Sequence, residues 1–215
     1  MSIFLDKASK RKKRSEKLLQ NHDVPVNKFL PVIESDFRMR EVEEVAKRAM
    51  CVCVCAVKGE GLEQETVLQL IEKYDLGNNL TREEKEFIYD EAPSQHERTQ
   101  FSWKYECYWV LLWALGYVEE LTYPDSICDV PYAVRQMANR TAESFINESV
   151  LRTKTELLDE ADLIFRTHWA VRQAQLDQVE TPGNLDGGVV MERHYALNWL
   201  VRFMDQEWDE VATHT

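Results

Sequence analysis

Apolar positions recur along this chain at helical spacing. Near the C-terminal end, Leu157, Ala161, Ile164, His168 and Val171 follow steps of 4, 3, 4 and 3, and Val190, His194, Leu197, Val201 and Met204 repeat them. Such spacing gives each helix one core-facing side and sets a histidine in the middle of it. A buried imidazole must find hydrogen-bond partners, so the pattern predicts a polar cluster inside a helical core. From Tyr105 to Leu115 the chain is apolar on every side of a helix, apart from Glu106. A helix of that kind is buried all round and belongs at the centre, and its lone carboxylate calls for an arginine or histidine from elsewhere in the fold.

Start and stop signals divide the rest. A basic amphipathic helix opens the chain, and HDVPVNKFLPVIES, with Pro25 and Pro31, reads as an extended tether laid over the body. A helix is expected from near Asp36 through CVCVCAV to Gly59 and Gly61. The next, LEQETVLQLIEKY, is expected to close at Gly77. Thr81 with Glu84, Ser94 with Glu97 and Thr153 with Glu156 each form a capping box, and Gly116 is placed to end the central helix. Pro131 opens a helix running towards Asn147, the helix after Thr153 continues to about Gln178, and the last helix spans about Val189 to Asp205 before the tail WDEVATHT. No repeat of fixed period is present. The expected fold is all-α, a single-domain irregular helical bundle around a central helix at about 95–115. Residues 1–34 form the basic helix and tether packed on the body, and residues 35–215 the helical domain.

Composition agrees with this. The chain of 215 residues holds few glycines and prolines, seven and six, and 22 aromatic residues to fill one core. Its formal charge of −12 is uneven: residues 1–17 carry +5, leaving 19 basic and 36 acidic residues, or −17, on the remainder. Such a body repels a phosphate backbone, so nucleic acid is an unlikely partner and the basic segment reads as a solvated helix face. No secretory signal is visible, and the longest apolar run, Cys107 to Leu115, is far short of the about 20 residues of a membrane span. The sequence thus predicts a soluble cytoplasmic protein with no membrane partner and reduced cysteines. The N-x-Ser/Thr triplets at Asn79, Asn139 and Asn147 are then chance matches.

Three motifs carry possible chemistry. Cys51, Cys53 and Cys55 would line one face of a strand and share a soft metal, but no second ligand group follows at zinc spacing, and apolar neighbours favour core packing on a helix end. His168 and His194 lack a ligand at i±4, and arginines 166, 172 and 193 oppose a bound cation. Neither a metal nor a cofactor is therefore called for. On the long helix Asp159, Asp162, Arg166, Trp169 and Gln173 share a polar stripe, in which Asp162 pairs with Arg166 and Arg166 can lie over Trp169.

The blocks FSWKYECYWVLLWALGYVEELTYP, LLDEADLIFRTHWAVRQA, VVMERHYALNWL and WDEVATHT, with RKKRSEKLL and NKFLP near the start, resemble the bacterial domain of unknown function 4272 family over nearly the whole chain. The resemblance implies a largely helical cytoplasmic protein and supplies neither a reaction nor a partner. The positions matching the family's pattern are Trp103, Glu106, Trp113, Asp162, Arg166, His168, Trp169, Glu192, Arg193, His194, Asn198, Trp199, Trp208 and Asp209. CVCVC lies outside that pattern.

The candidate polar cluster or ligand pocket is thus Glu106, Asp162, Arg166, His168, Trp169, Glu192, Arg193, His194 and Asn198. No nucleophile signature or phosphate loop accompanies it. The favoured reading is a non-enzymatic binding protein whose acidic surface meets a basic partner, toxin neutralisation being one such role, with the cluster as architecture. The alternative is a pocket in which Arg166 and Arg193 hold an anionic ligand, His168 or His194 moves a proton, and Glu106 or Glu192 orients the imidazole. Oligomeric state is not legible.

Overall fold

The structure, a computed structural model, describes residues 2–33 and 38–215, with side chains from residue 7 onward. Nine α-helices make up the described residues, which contain no strand: α1 (Ser2–Asn21), α2 (Val42–Gly59), α3 (Gln64–Lys73), α4 (Arg82–Tyr89), α5 (Gln95–Ala114), α6 (Val130–Ala138), α7 (Ala142–Asn147), α8 (Lys154–Asp177) and α9 (Gly187–Leu200). The fold is all-α. Its helices pack as neighbours in the order α2, α5, α9, α8, α1, so the apolar α5 is flanked by α2 and α9, and the basic α1 lies against the outer side of α8. Helices α3, α4 and α7 pack on α2, and α6 packs on α5.

Helix α5 is central for the reason its sequence gives. Tyr108, Val110, Leu111, Leu112 and Ala114 are fully enclosed, and so is Glu106. The approach of α2 to α5 depends on Gly59, where an added Cβ would fall 2.6 Å from the amide nitrogen of Ser102 and 2.7 Å from the carbonyl oxygen of Arg98. Neither backbone atom can move aside cheaply. At the other end of α5, the segment after α7 supplies donors to the carbonyls that a helix end leaves open: the amides of Val150 and Arg152 reach Leu115 and Ala114, and Arg152 Nε reaches Trp113.

The capping boxes at Thr81, Ser94 and Thr153 form as their residue pairs predict, and Gly116 follows α5 at φ +83°. Five boundaries differ. The expected helix start at Asp36 lies outside the described residues; α2 begins at Val42 after extended Glu41 (ψ 149°), and Arg40 just before it reaches Glu44, the Trp199 carbonyl and the Trp199 ring. Helix α3 stops at Lys73 instead of reaching Gly77, since Asp75 turns left-handed (φ +51°) and the Leu76 amide bonds back to Ile71, burying Leu76. The helix from Pro131 is two: Tyr74 Oη donates to the carbonyls of Met137 and Arg140 at the end of α6, and Thr141 caps α7. Finally α9 starts at Gly187, because Asp186 accepts from the amides of Gly188 and Val189, and it ends at Leu200, where left-handed Arg202 and Met204 break the periodicity and leave Met204 exposed.

Cys51, Cys53 and Cys55 lie on α2, and with Cys107 and Cys128 they are buried and free. Burial pushes the Cys51 and Cys53 thiols up to about 12 and Cys55 well above its ordinary value. A thiol reagent at pH 8 is therefore expected to leave the native protein unlabelled and to react with five equivalents after denaturation. Fast labelling of one native thiol would refute the core-packing account. Among the described residues no helix is long and apolar enough to cross a membrane.

Candidate functional site

The nine residues of the predicted cluster sit on α5, α8 and α9, and the structure divides them into separate buried groups. Glu106, projecting from α5, meets Arg193 of α9: Arg193 Nε donates to Glu106 Oε2 at 3.1 Å, and both side chains are nearly inaccessible. The other carboxylate oxygen accepts from the Cys128 amide at 2.5 Å, while Arg193 Nη1 donates to the Thr122 carbonyl at 2.7 Å. The pair thus ties the central helix to α9 and to the loop between α5 and α6.

On α8, Asp162 and Arg166 stand one turn apart and pair in two-pronged geometry, Nε to Oδ2 at 2.9 Å and Nη2 to Oδ1 at 2.7 Å. Arg166 Nη2 also donates to the Pro31 carbonyl at 2.9 Å, which fastens the tether onto α8. The guanidinium lies 5.8 Å over the Phe165 ring, not over Trp169. Trp169 is only half-buried, and Asp159 of the same stripe pairs outward with Arg11 and Arg14 of α1. Glu192 turns the other way on α9, accepting from Lys104 Nζ at 2.9 Å and from Cys107 Sγ at 3.1 Å.

His168 and His194 face each other with their Nδ1 atoms 2.8 Å apart and ring planes near perpendicular. One Nδ1 must carry a hydrogen and the other a lone pair, so the neutral pair holds opposite tautomers. Burial depresses both: His168 to about 4, with Arg172 adding to the effect, and His194 to about 3, with His168 adding and Asn198 partly offsetting. Asn198 Nδ2 donates to the Ala212 carbonyl at 2.8 Å and so anchors the C-terminal segment. Neither imidazole is protonated at pH 7, and bases this weak are poorly matched to proton transfer at that pH.

The clefts do not reunite these groups. His194 and Asn198 reach the wall of a cleft of about 550 Å³ shared with Pro31, Phe165, Phe203 and His214. Arg193 lies on a different one, of about 200 Å³. Arg166 and His168 line neither. Among the described residues no three His, Cys, Asp or Glu side chains converge as a metal site.

A second polar group escaped the sequence reading. Arg48 of α2 donates to Glu84 of α4 at 2.5 Å inside the core and lies 5.3 Å from the Trp208 ring, which packs edge-on against Trp199. Arg40 stacks 3.9 Å over the other side of this group, on Trp199, and Lys104 lies 4.1 Å over Tyr195. One signal was present: Arg48 interrupts the apolar run Val45, Ala46, Ala49, Met50 and therefore required a buried partner. Glu84 gave no such sign, since its capping-box role accounted for it.

Fold and cluster together define an all-α protein whose helices are tied by buried ion pairs around a neutral histidine pair. The chain belongs to the DUF4272 family, a domain of unknown function, matched over residues 11–211. No curated protein and no solved structure matches it.

Proposed function

We propose that this is a non-enzymatic cytoplasmic binding protein, whose acidic helical surface engages a basic protein partner, a toxin being one partner of that character. The observation carrying the reading is that the cluster's charges are spent internally: Glu106 on Arg193, Asp162 on Arg166 and Glu192 on Lys104, with both histidines held neutral. A catalytic site keeps at least one such group available to substrate. The exposed charge lies elsewhere. On and around α3 and α4, Glu63, Glu65, Glu72, Asp75, Glu83 and Glu86 face solvent with only Lys73, Arg82 and Lys85 among them, and Leu68 and Tyr89 add exposed apolar contact area. Such a face steers a cationic partner and selects it by charge.

Native mass spectrometry of the protein purified gently from its own host tests this. The expected species is the 25.3 kDa chain plus a basic protein. The complex should dissociate as salt rises and weaken when Glu65, Glu72 and Glu83 are changed to Lys. A small-molecule adduct lost on His168→Ala or Arg166→Ala, with no protein bound, would move the function to the interior cluster and overturn the proposal.

A further inference from the structure

Between the C-terminal half of α1, the loop at 121–124 and the outer sides of α8 and α9 lies the cleft of about 200 Å³. Its walls are mainly apolar, with Leu18, Leu121, Leu163, Ile164 and Leu197 among them, and two charged side chains reach it, Arg193 and Glu160. Arg193 is already neutralised by Glu106 and bonded to the Thr122 carbonyl. No hydrogen bond or ion pair among the described residues reaches the half-buried Glu160 carboxyl group, and only the longer-range charges of Arg193 and Arg152 favour its ionised form. The other charges nearby are committed. Asp159 is held by Arg11 and Arg14, Arg152 by Glu156 and by the carbonyls of Trp113, Val118 and Glu119, and the His22 ring stacks on Tyr123 at 4.4 Å. A carboxylate with no direct partner on an apolar wall gains most from a cation brought into contact with it.

We propose that this cleft binds a small apolar ammonium ion, its hydrocarbon part against the leucines and its ammonium on Glu160. Cavities of about 150 Å³ admit benzene, so this space suits a single ring or short branched chain with a one-carbon ammonium arm. This binding does not depend on the acidic outer face. Burial, then the neighbouring Asp159, raises the Glu160 carboxyl to about 7, with Arg193 and Arg152 partly offsetting, so much of its negative charge is removed as pH falls from 8 to 6.

The test compares benzylammonium, benzyl alcohol and benzoate on the full chain at pH 8, by ligand-observed NMR and titration calorimetry. Benzylammonium is expected to bind in the millimolar range or better, about tenfold more tightly than the alcohol, with benzoate weakest. Its affinity should fall on going to pH 6. Glu160→Gln is expected to erase the preference for the cation and the pH effect without lowering Tm, because it removes a carboxylate with no direct partner. Leu163→Trp should block all three probes by filling the space. Benzoate binding as well as benzylammonium, an unchanged cation preference in Glu160→Gln, or no saturable binding of benzylammonium at millimolar concentration would each overturn the proposal.

Discussion

Replacing Arg193 by methionine is expected to destabilise the protein by about 3–5 kcal/mol, the cost typical of leaving one partner of a buried ion pair uncompensated. Glu106 and Arg193 are 2% and 3% exposed, so the carboxylate left behind has little water around it to replace its partner. After the substitution the Cys128 amide still donates to it, and the Thr122 carbonyl loses Arg193 Nη1. For a domain of this size the loss corresponds to a fall in Tm of about 6–20 °C.

The double variant Glu106→Gln, Arg193→Met separates the charge from the packing. A glutamine oxygen still accepts from the Cys128 amide, and the methionine fills much of the volume, so most of the lost stability should return. Urea unfolding of the two single variants and the double one measures the coupling directly. If Arg193→Met alone costs under about 1 kcal/mol, the pair is not what holds α9 against α5, and water reaches Glu106 from the adjoining clefts.

How far the sequence revealed this arrangement depended on the kind of signal. The burial of α5 was legible because an all-round apolar helix has no other place, and Glu106 announced its need for an arginine or a histidine by standing alone there; the structure supplies Arg193. The pairing of Asp162 with Arg166 followed from their four-residue separation on one helix. Boundaries set by tertiary contacts were not legible. Nothing local in VMERHYALNWLVRFM says that the helix stops at Leu200; the stop comes with Arg202, whose Nε donates to the Arg38 carbonyl from across the fold. The break between α6 and α7 is of mixed origin: Thr141 is a local cap, while Tyr74, 63 residues before Met137, holds the end of α6.

The cluster itself was legible in its members and illegible in its geometry. Periodicity put Glu192, Arg193 and His194 on consecutive positions of a buried helix, and consecutive helical residues point about 100° apart. They therefore face Lys104, Glu106 and His168 respectively, three different neighbours, and could not converge on one ligand. Spacing put His194 inside and wrongly put Met204 there; only packing told that the buried polar residues look in different directions.

The histidine pair should make stability depend steeply on acidity. His168 and His194 are held neutral in the folded state, to about 4 and about 3, against about 6.5 in the unfolded chain. Below pH 6.5 the unfolded chain therefore takes up protons that the folded protein refuses. Stability is complete above that range and is lost as pH falls through it, by up to about 1.4 kcal/mol per pH unit for each histidine. The pair sharpens the effect. The donor ring can take a proton on its far nitrogen and keep the Nδ1 bond, but a second proton would place two N–H groups face to face at 2.8 Å, so the hydrogen bond must break and the helices α8 and α9 separate there.

Glu160 works in the opposite sense. Its raised carboxyl binds a proton in the folded state between about pH 7 and 4.5, which adds stability as pH falls and offsets part of one histidine's slope, discounted because the group is half-exposed. The informative quantity is thus the difference between the wild type and His168→Leu, His194→Leu, in which the imidazoles are gone and Glu160 is intact. Denaturant midpoints measured from pH 7.5 to 4.5 are expected to converge or cross, the wild type losing about 5 kcal/mol more than the double variant over that span. Parallel curves would mean that the imidazoles titrate alike in both states, so that water reaches them through the larger cleft on which His194 lies.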